Sequence, residues 1–135
     1  MPVDGQPLRR PTGFVATNLA VRWGSPRLFD EGFVGVPVTF LKRYARLGLS
    51  PGEAIFVLQL MSFKWTAQAP FPSYKKLATC MDITVEMARR HAKSLETKGL
   101  LRRIRRTGQT NVFDIAPLTT ALETLLGDER RSVAA

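Results

Sequence analysis

The stretch Ser50-Pro51-Gly52-Glu53, followed by Ala54, Ile55, Phe56, Val57, Leu58, Leu60, Met61, Phe63 and Trp65, constrains this chain more than any other. Its first four residues fit the S-x-x-E capping box, in which the Ser50 hydroxyl accepts from the Glu53 amide while the Glu53 carboxylate reaches back. The residues behind it leave little polar face, so the helix they form must be surrounded by other elements. Its most apolar part, Ala54 to Met61, is too short to cross a bilayer and is followed by Ser62 and Lys64. The covering elements must come from the rest of a 135-residue chain, which is the length of one domain.

Helical spacing and stop signals supply them. Pro37 suits a first helical position, and Phe40, Leu41, Tyr44, Ala45 and Leu47 recur on one face until Gly48 closes the turn. After Pro70-Phe71-Pro72, Ser73 caps a short helix through Cys80, with Leu77 and Ala78 inward and Lys75 and Lys76 outward. Met81-Asp82-Ile83 forms a turn. Thr84 caps a longer helix to Lys98, on which Ala88, Ala92 and Leu95 fall at i, i+4 and i+7, and Gly99 ends it at C′. Leu100 to Arg106 and Asn111 to Ile115 read as two strands joined by Thr107-Gly108-Gln109-Thr110, with Ile104 facing inward. Pro117 restarts helix, with Leu118, Ala121, Leu122, Leu125 and Leu126 on a broad apolar face, and the tail from Gly127 is expected to fray. Upstream, Val15, Thr17, Leu19, Val21 and Trp23 alternate with Ala16, Asn18, Ala20 and Arg22, a period of two that predicts a half-buried strand.

Charge and rare residues narrow the function classes. Lys plus Arg number 20 against 11 Asp plus Glu, a formal net charge of +9, which favours polyanionic partners. Cys80 is the only cysteine and His91 the only histidine, so one chain can form neither a disulfide nor a Cys/His zinc cluster. The first 13 residues lack the apolar core of a signal peptide, and a cytoplasmic, nucleoid-associated protein is the expectation. No glycine-rich phosphate loop, nucleophile elbow or metal-ligand cluster is present, so neither an enzyme nor a cofactor is expected.

The order of helix, central helix, short helix, three-residue turn, helix and basic hairpin is that of a winged helix-turn-helix: mainly α with a small β-hairpin wing. The residues carry the resemblance. Pro72-Ser73-Tyr74-Lys75-Lys76-Leu77-Ala78, Ile83-Thr84 and Leu95-Glu96-Thr97-Lys98-Gly99-Leu100-Leu101 resemble the family pattern of a capped short helix, a turn and a recognition helix ending in LExKGLL. Phe33-Val34-Gly35-Val36-Pro37 and Leu49-Ser50-Pro51-Gly52-Glu53 further resemble the start of plasmid and phage initiators and of the N-terminal domain of DnaD-like primosomal proteins. The chain then divides into an extended N-terminal arm (1–35), a winged helix-turn-helix domain (36–116), a C-terminal helix (117–127) and a flexible tail (128–135).

The resemblance implies double-stranded DNA as partner, with helix 84–98 in the major groove and wing 100–115 on the backbone or minor groove. With Ala88, Ala92 and Leu95 inward, Glu86, Arg89, Arg90 and Lys93 face out, with Thr84 at the N-terminal end. Arg89 and Arg90 are the candidates for base edges and Lys93 for phosphate. Glu86 either accepts from cytosine N4 or simply complements the helix dipole. Arg103, Arg105 and Arg106, beside Arg102, crowd the wing strand with mutual repulsion that an anionic partner would relieve. Thr107, Gln109 and Asn111 at the tip can donate to phosphate, and Ser73, Tyr74 and Lys75 open the short helix where its amides suit a backbone phosphate. Between Ser73 and Asn111 lie ten basic and three acidic residues, +7 of the total +9.

Other residues read as structural. His91 beside the apolar stripe is expected to be packed, Cys80 to be a small buried residue, and Phe56, Phe63, Trp65 and Phe71 to be core rather than base-stacking platforms. The leading function is sequence-specific DNA binding by a transcriptional regulator or a replication-initiation or accessory protein of a plasmid, phage or other mobile element. The chain lacks the second domain that DnaD-like proteins use to oligomerise, so helicase loading is not implied. A homodimer through the N-terminal arm or the C-terminal helix is open, and the alternative function is a winged-helix protein-interaction module in a larger nucleoprotein assembly.

Overall fold

The computed structural model of the chain describes residues 13–63 and 72–134. Among the described residues, six helices and one hairpin run in the order α1 (Gly13–Trp23), α2 (Val38–Arg43), α3 (Pro51–Ser62), α4 (Tyr74–Met81), α5 (Val85–Thr97), β1 (Arg102–Ile104), β2 (Val112–Asp114) and α6 (Ala116–Ala134), with short 3-10 turns at Pro26–Phe29 and Ala45–Leu47.

The central helix is α3. Both bonds of its capping box form: the Glu53 amide donates to Ser50 Oγ at 3.1 Å, and the Ser50 amide donates to Glu53 Oε1 at 2.8 Å. Phe56 and Leu60 are fully buried, as the nearly all-round apolar sequence requires. Helices α4 and α5 pack on α3 and on each other through Leu77, Ala78, Ala88, Ala92 and Leu95. Alanine at 88 and 92 lets the backbone of α5 approach closely, which fixes how its opposite face is presented.

The link between α4 and α5 is a tight turn. Asp82 takes the left-handed conformation, with φ of 53°, and the Ile83 amide donates to the Ala78 carbonyl at 3.0 Å. Ser73 and Thr84 cap the two helices, accepting from the Lys76 and Met87 amides, each at 3.1 Å. Gly99, with φ of 73°, closes α5. The hairpin is antiparallel, pairing Arg102 with Asp114, Arg103 with Phe113 and Ile104 with Val112.

Expectation and structure part in the N-terminal arm. Gly13–Trp23 is an α-helix, not a strand, and Pro26–Phe29 adds a 3-10 turn, so this part of the arm is not extended. A strand must find a neighbour for its backbone groups, and among the described residues the hairpin is the only sheet; a helix satisfies those groups itself. Residues 1–12 of the arm lie outside the described residues, as do Trp65 and Phe71.

The C-terminal boundary also differs. Helix α6 continues through Gly127 to Ala134, replacing both the stop at 127 and the flexible tail. A glycine inside a helix costs only about 1 kcal/mol. The turn beyond it is held by Glu129, which accepts from Arg43 Nε and Nη2, both at 2.8 Å, and from Arg46 on the neighbouring segment. The Arg43 bond outweighs the cost of burial and, with the field of both arginines, holds the Glu129 carboxyl at about 2, against an ordinary value of 4.5.

Candidate nucleic-acid interface

Opposite the buried alanines, α5 presents Glu86, Arg89, Arg90 and Lys93, all exposed. Arg90 and Lys93 have no ion-pair or hydrogen-bond partner among the described residues. Lys75, in the first turn of α4, and Arg105, just past β1, are likewise exposed and unpaired. Thr84 and Ser73 are spent locally as caps. Glu86 lies in the first turn of α5, where a carboxylate complements the amide end of the helix.

The wing differs from a row of free arginines. Arg102 Nη2 donates to Asp114 Oδ2 at 2.8 Å, directly across the strand pair. Arg103 Nη1 lies 3.0 Å from the Tyr74 hydroxyl, and its Nε lies 3.2 Å from Glu96 Oε1 on α5. Arg106 folds back on its own turn, donating to the Thr110 carbonyl at 2.8 Å and to Thr110 Oγ1 at 3.2 Å. The repulsion expected among four guanidinium groups is therefore largely absorbed inside the fold. Thr107 and Gln109 are exposed at the tip, and Asn111 is half-buried.

Strand facing is also reversed from expectation. Ile104 is 45% exposed, and Arg103 is the inward residue, opposite the fully buried Phe113. Alternation counted from the buried Leu101 puts 103 and not 104 on the inner face. Arg103 can occupy it because its charged end meets the Tyr74 hydroxyl and Glu96.

Tyr74 joins the parts of the site. Its ring packs edge-on to Phe113, with centroids 5.8 Å apart, and its face carries the Arg89 guanidinium, 5.6 Å from the centroid. One side chain at the start of α4 thus touches both α5 and the wing.

Residues that the sequence marked as structural also find places. His91 packs on Phe56, with ring centroids 5.9 Å apart, and its imidazole fills the space over Gly52. Phe63 is half-buried, with Lys76 over its ring. Cys80 is exposed, not buried: at 100° per residue, Met81 rather than Cys80 comes round over Leu77 and Ala78. Lys98 and Glu53 form a pair that the sequence did not reveal. Lys98 Nζ lies 2.7 Å from Glu53 Oε1, 3.0 Å from Oε2 and 2.6 Å from the Gly48 carbonyl. Burial alone would push the Glu53 carboxyl up. Hydrogen bonds from Lys98, Ser94 and Ser50 outweigh that and hold it at about 2.

A three-helix core, a tight turn between α4 and α5, and a two-stranded wing pinned to α5 define a winged helix-turn-helix domain. The chain belongs to the DnaD N-terminal domain family, whose model matches residues 36–132. The solved N-terminal domain of the DnaD protein from Geobacillus kaustophilus HTA426 overlays with a TM-score of 0.63 at 22% identity, covering 87% of this chain and 96% of that one. The solved transcriptional regulator PA3341 overlays with a TM-score of 0.43 at 21% identity, covering 89% of this chain and 81% of that one. No curated protein matches the sequence significantly. The family supports a role in DNA binding or replication. Among the described residues, no helix is long and apolar enough to cross a membrane, and no group of three or more His, Cys, Asp and Glu could hold a metal ion.

Proposed function

We propose that this domain binds double-stranded DNA with sequence preference, as a transcriptional regulator or as a replication-initiation or accessory protein of a plasmid, phage or other mobile element. It is a binding domain and not an enzyme. The observation that carries the reading is the pair Arg90 and Lys93, exposed and without partners among the described residues on the face of α5 opposite Ala88, Ala92 and Leu95. A folded domain gains little from two unpaired cations there, whereas a major groove accepts both a helix and its arginines.

In this reading Arg90 and Arg89 meet base edges, Lys93, Lys75 and Arg105 meet phosphate, and Thr107, Gln109 and Asn111 approach the backbone or minor groove. Glu86, Thr84 and Ser73 border the contact. Arg106, bonded to Thr110, shapes the wing turn that carries the tip.

Selection of bound fragments from random duplex DNA tests the reading. An inverted repeat with half-sites about one helical turn apart would mark a dimer, and direct repeats would mark an initiator. Recovery of no motif would contradict sequence preference.

Self-association belongs to the same proposal. Val21 and Trp23 on α1 and Leu28 beyond it are 77%, 69% and 59% exposed, which suits burial against a second copy. Sedimentation of Trp23→Ser against the unmodified protein tests the arm, and an unchanged dimer would exclude it.

A further inference from the structure

Tyr74 is held from several sides at once. It follows the Ser73 cap, its ring abuts Phe113, and Phe113 in turn stands edge-on to the buried Phe56, with centroids 6.4 Å apart and planes at 88°. Its hydroxyl meets Arg103 on the wing, and its ring face carries Arg89 on α5. These two arginines sit on different elements, and Glu96 gives the wing a second tie to α5 through Arg103.

The two sides of Tyr74 have separable consequences. A long arginine side chain resting on an aromatic face has fewer orientations to lose when it later meets a base edge. The hydroxyl acts on the wing instead, setting how far Arg105 and the tip stand from α5.

We propose that Tyr74 is a positioning residue for DNA recognition: its ring pre-orders Arg89 for base contact, and its hydroxyl fixes the wing through Arg103, without Tyr74 itself touching DNA. This inference rests on the reading that α5 enters the major groove. It assigns Tyr74 a role distinct from the phosphate contact suggested by its place at a helix start. Two variants separate the halves of the role by comparison. Tyr74→Phe keeps the ring and removes the hydroxyl. Tyr74→Leu keeps apolar contact with Phe113 and removes both ring face and hydroxyl.

The test measures affinity for the duplex selected from random DNA and for a random duplex, with each variant's melting temperature recorded. Tyr74→Phe is expected to weaken both duplexes alike by about threefold, leaving their ratio unchanged. Tyr74→Leu is expected to lower the ratio about fivefold, the size of an exposed cation–π contact. That loss of ratio should vanish when Arg89 is already alanine, because the two residues act through one contact. In the free protein, the ring-current shift on the Arg89 Nε proton should be present in Tyr74→Phe and absent in Tyr74→Leu, a readout that general loosening of the fold would not mimic.

A ratio unchanged in Tyr74→Leu, or a loss that simply adds to that of Arg89→Ala, overturns the proposal. An Arg89 proton that lacks the ring-current shift in the unmodified protein overturns it as well. Failure of the parent reading shows separately, as absence of any preferred duplex for the unmodified protein, and the positioning role falls with it.

Discussion

The Lys98 ammonium closes on Glu53, 2.7 Å from Oε1 and 3.0 Å from Oε2, and so ties the end of α5 to the start of α3. Glu53 is buried and completes the α3 capping box with the same carboxylate. Its folded value of about 2 lies below the ordinary 4.5, so the ionised form is the one the fold stabilises. That contribution is complete above the unfolded value and is lost as the pH falls from 4.5 towards 2. It amounts to about 3 kcal/mol at most. Thermal unfolding between pH 6 and pH 2 should show the melting temperature falling across this window, with a smaller fall for Glu53→Gln. At neutral pH, Glu53→Ala should cost about 2–3 kcal/mol, because it leaves the Ser50 amide without its acceptor and the Lys98 ammonium with only the Gly48 carbonyl.

Glu129 makes a separate prediction for the C-terminus. Its pairs with Arg43 and Arg46 hold the part of α6 that follows Gly127 against the α2 region. Glu129→Ala should leave the core intact and increase amide hydrogen exchange mainly over residues 128–134, with little change in α3 or α5. Equal exchange in the two proteins would show that the helix end is held by something else.

The residues whose role is set by their neighbours along the chain were legible. The Ser50–Glu53 capping box, the Ser73 and Thr84 caps, Gly99 at C′ and the inward set Ala88, Ala92 and Leu95 depend on helical geometry, and all are found as expected. The helix over Gly13–Trp23 was hidden because its sequence also alternates with period two, and only the lack of a paired strand among the described residues decides between the alternatives. The candidate site was legible as a composition but not as an arrangement. Asp114 opposite Arg102 depends on strand register, and Glu96 beside Arg103 depends on how the hairpin folds back on α5. Those contacts turn basic residues of one kind into two groups, struts and free cations. Counting alternation from Leu101 was the one local signal that could have placed Arg103 inward.

That division predicts the salt dependence of DNA binding. With Lys75, Lys93 and Arg105 meeting phosphates, log affinity should fall against log salt with a slope of about −2.7. Arg105→Ala should weaken every duplex alike and reduce the slope by about 1. Arg102 is already paired with Asp114, and its replacement by alanine should leave the slope within about 0.3 of the unmodified protein. Fluorescence anisotropy titrations over a range of salt concentrations measure all three, and equal effects for Arg102 and Arg105 would remove the distinction between strut and contact.

Base readout is proposed for the outer face of α5. It is tested most directly by the affinity of Arg90→Ala for the selected duplex and for a random one at the same salt concentration. The expected result is a loss of about 1–3 kcal/mol on the selected duplex, a much smaller loss on the random one, and relaxed preference at a single base pair. An equal loss on both would make Arg90 a phosphate contact and contradict base readout by this helix.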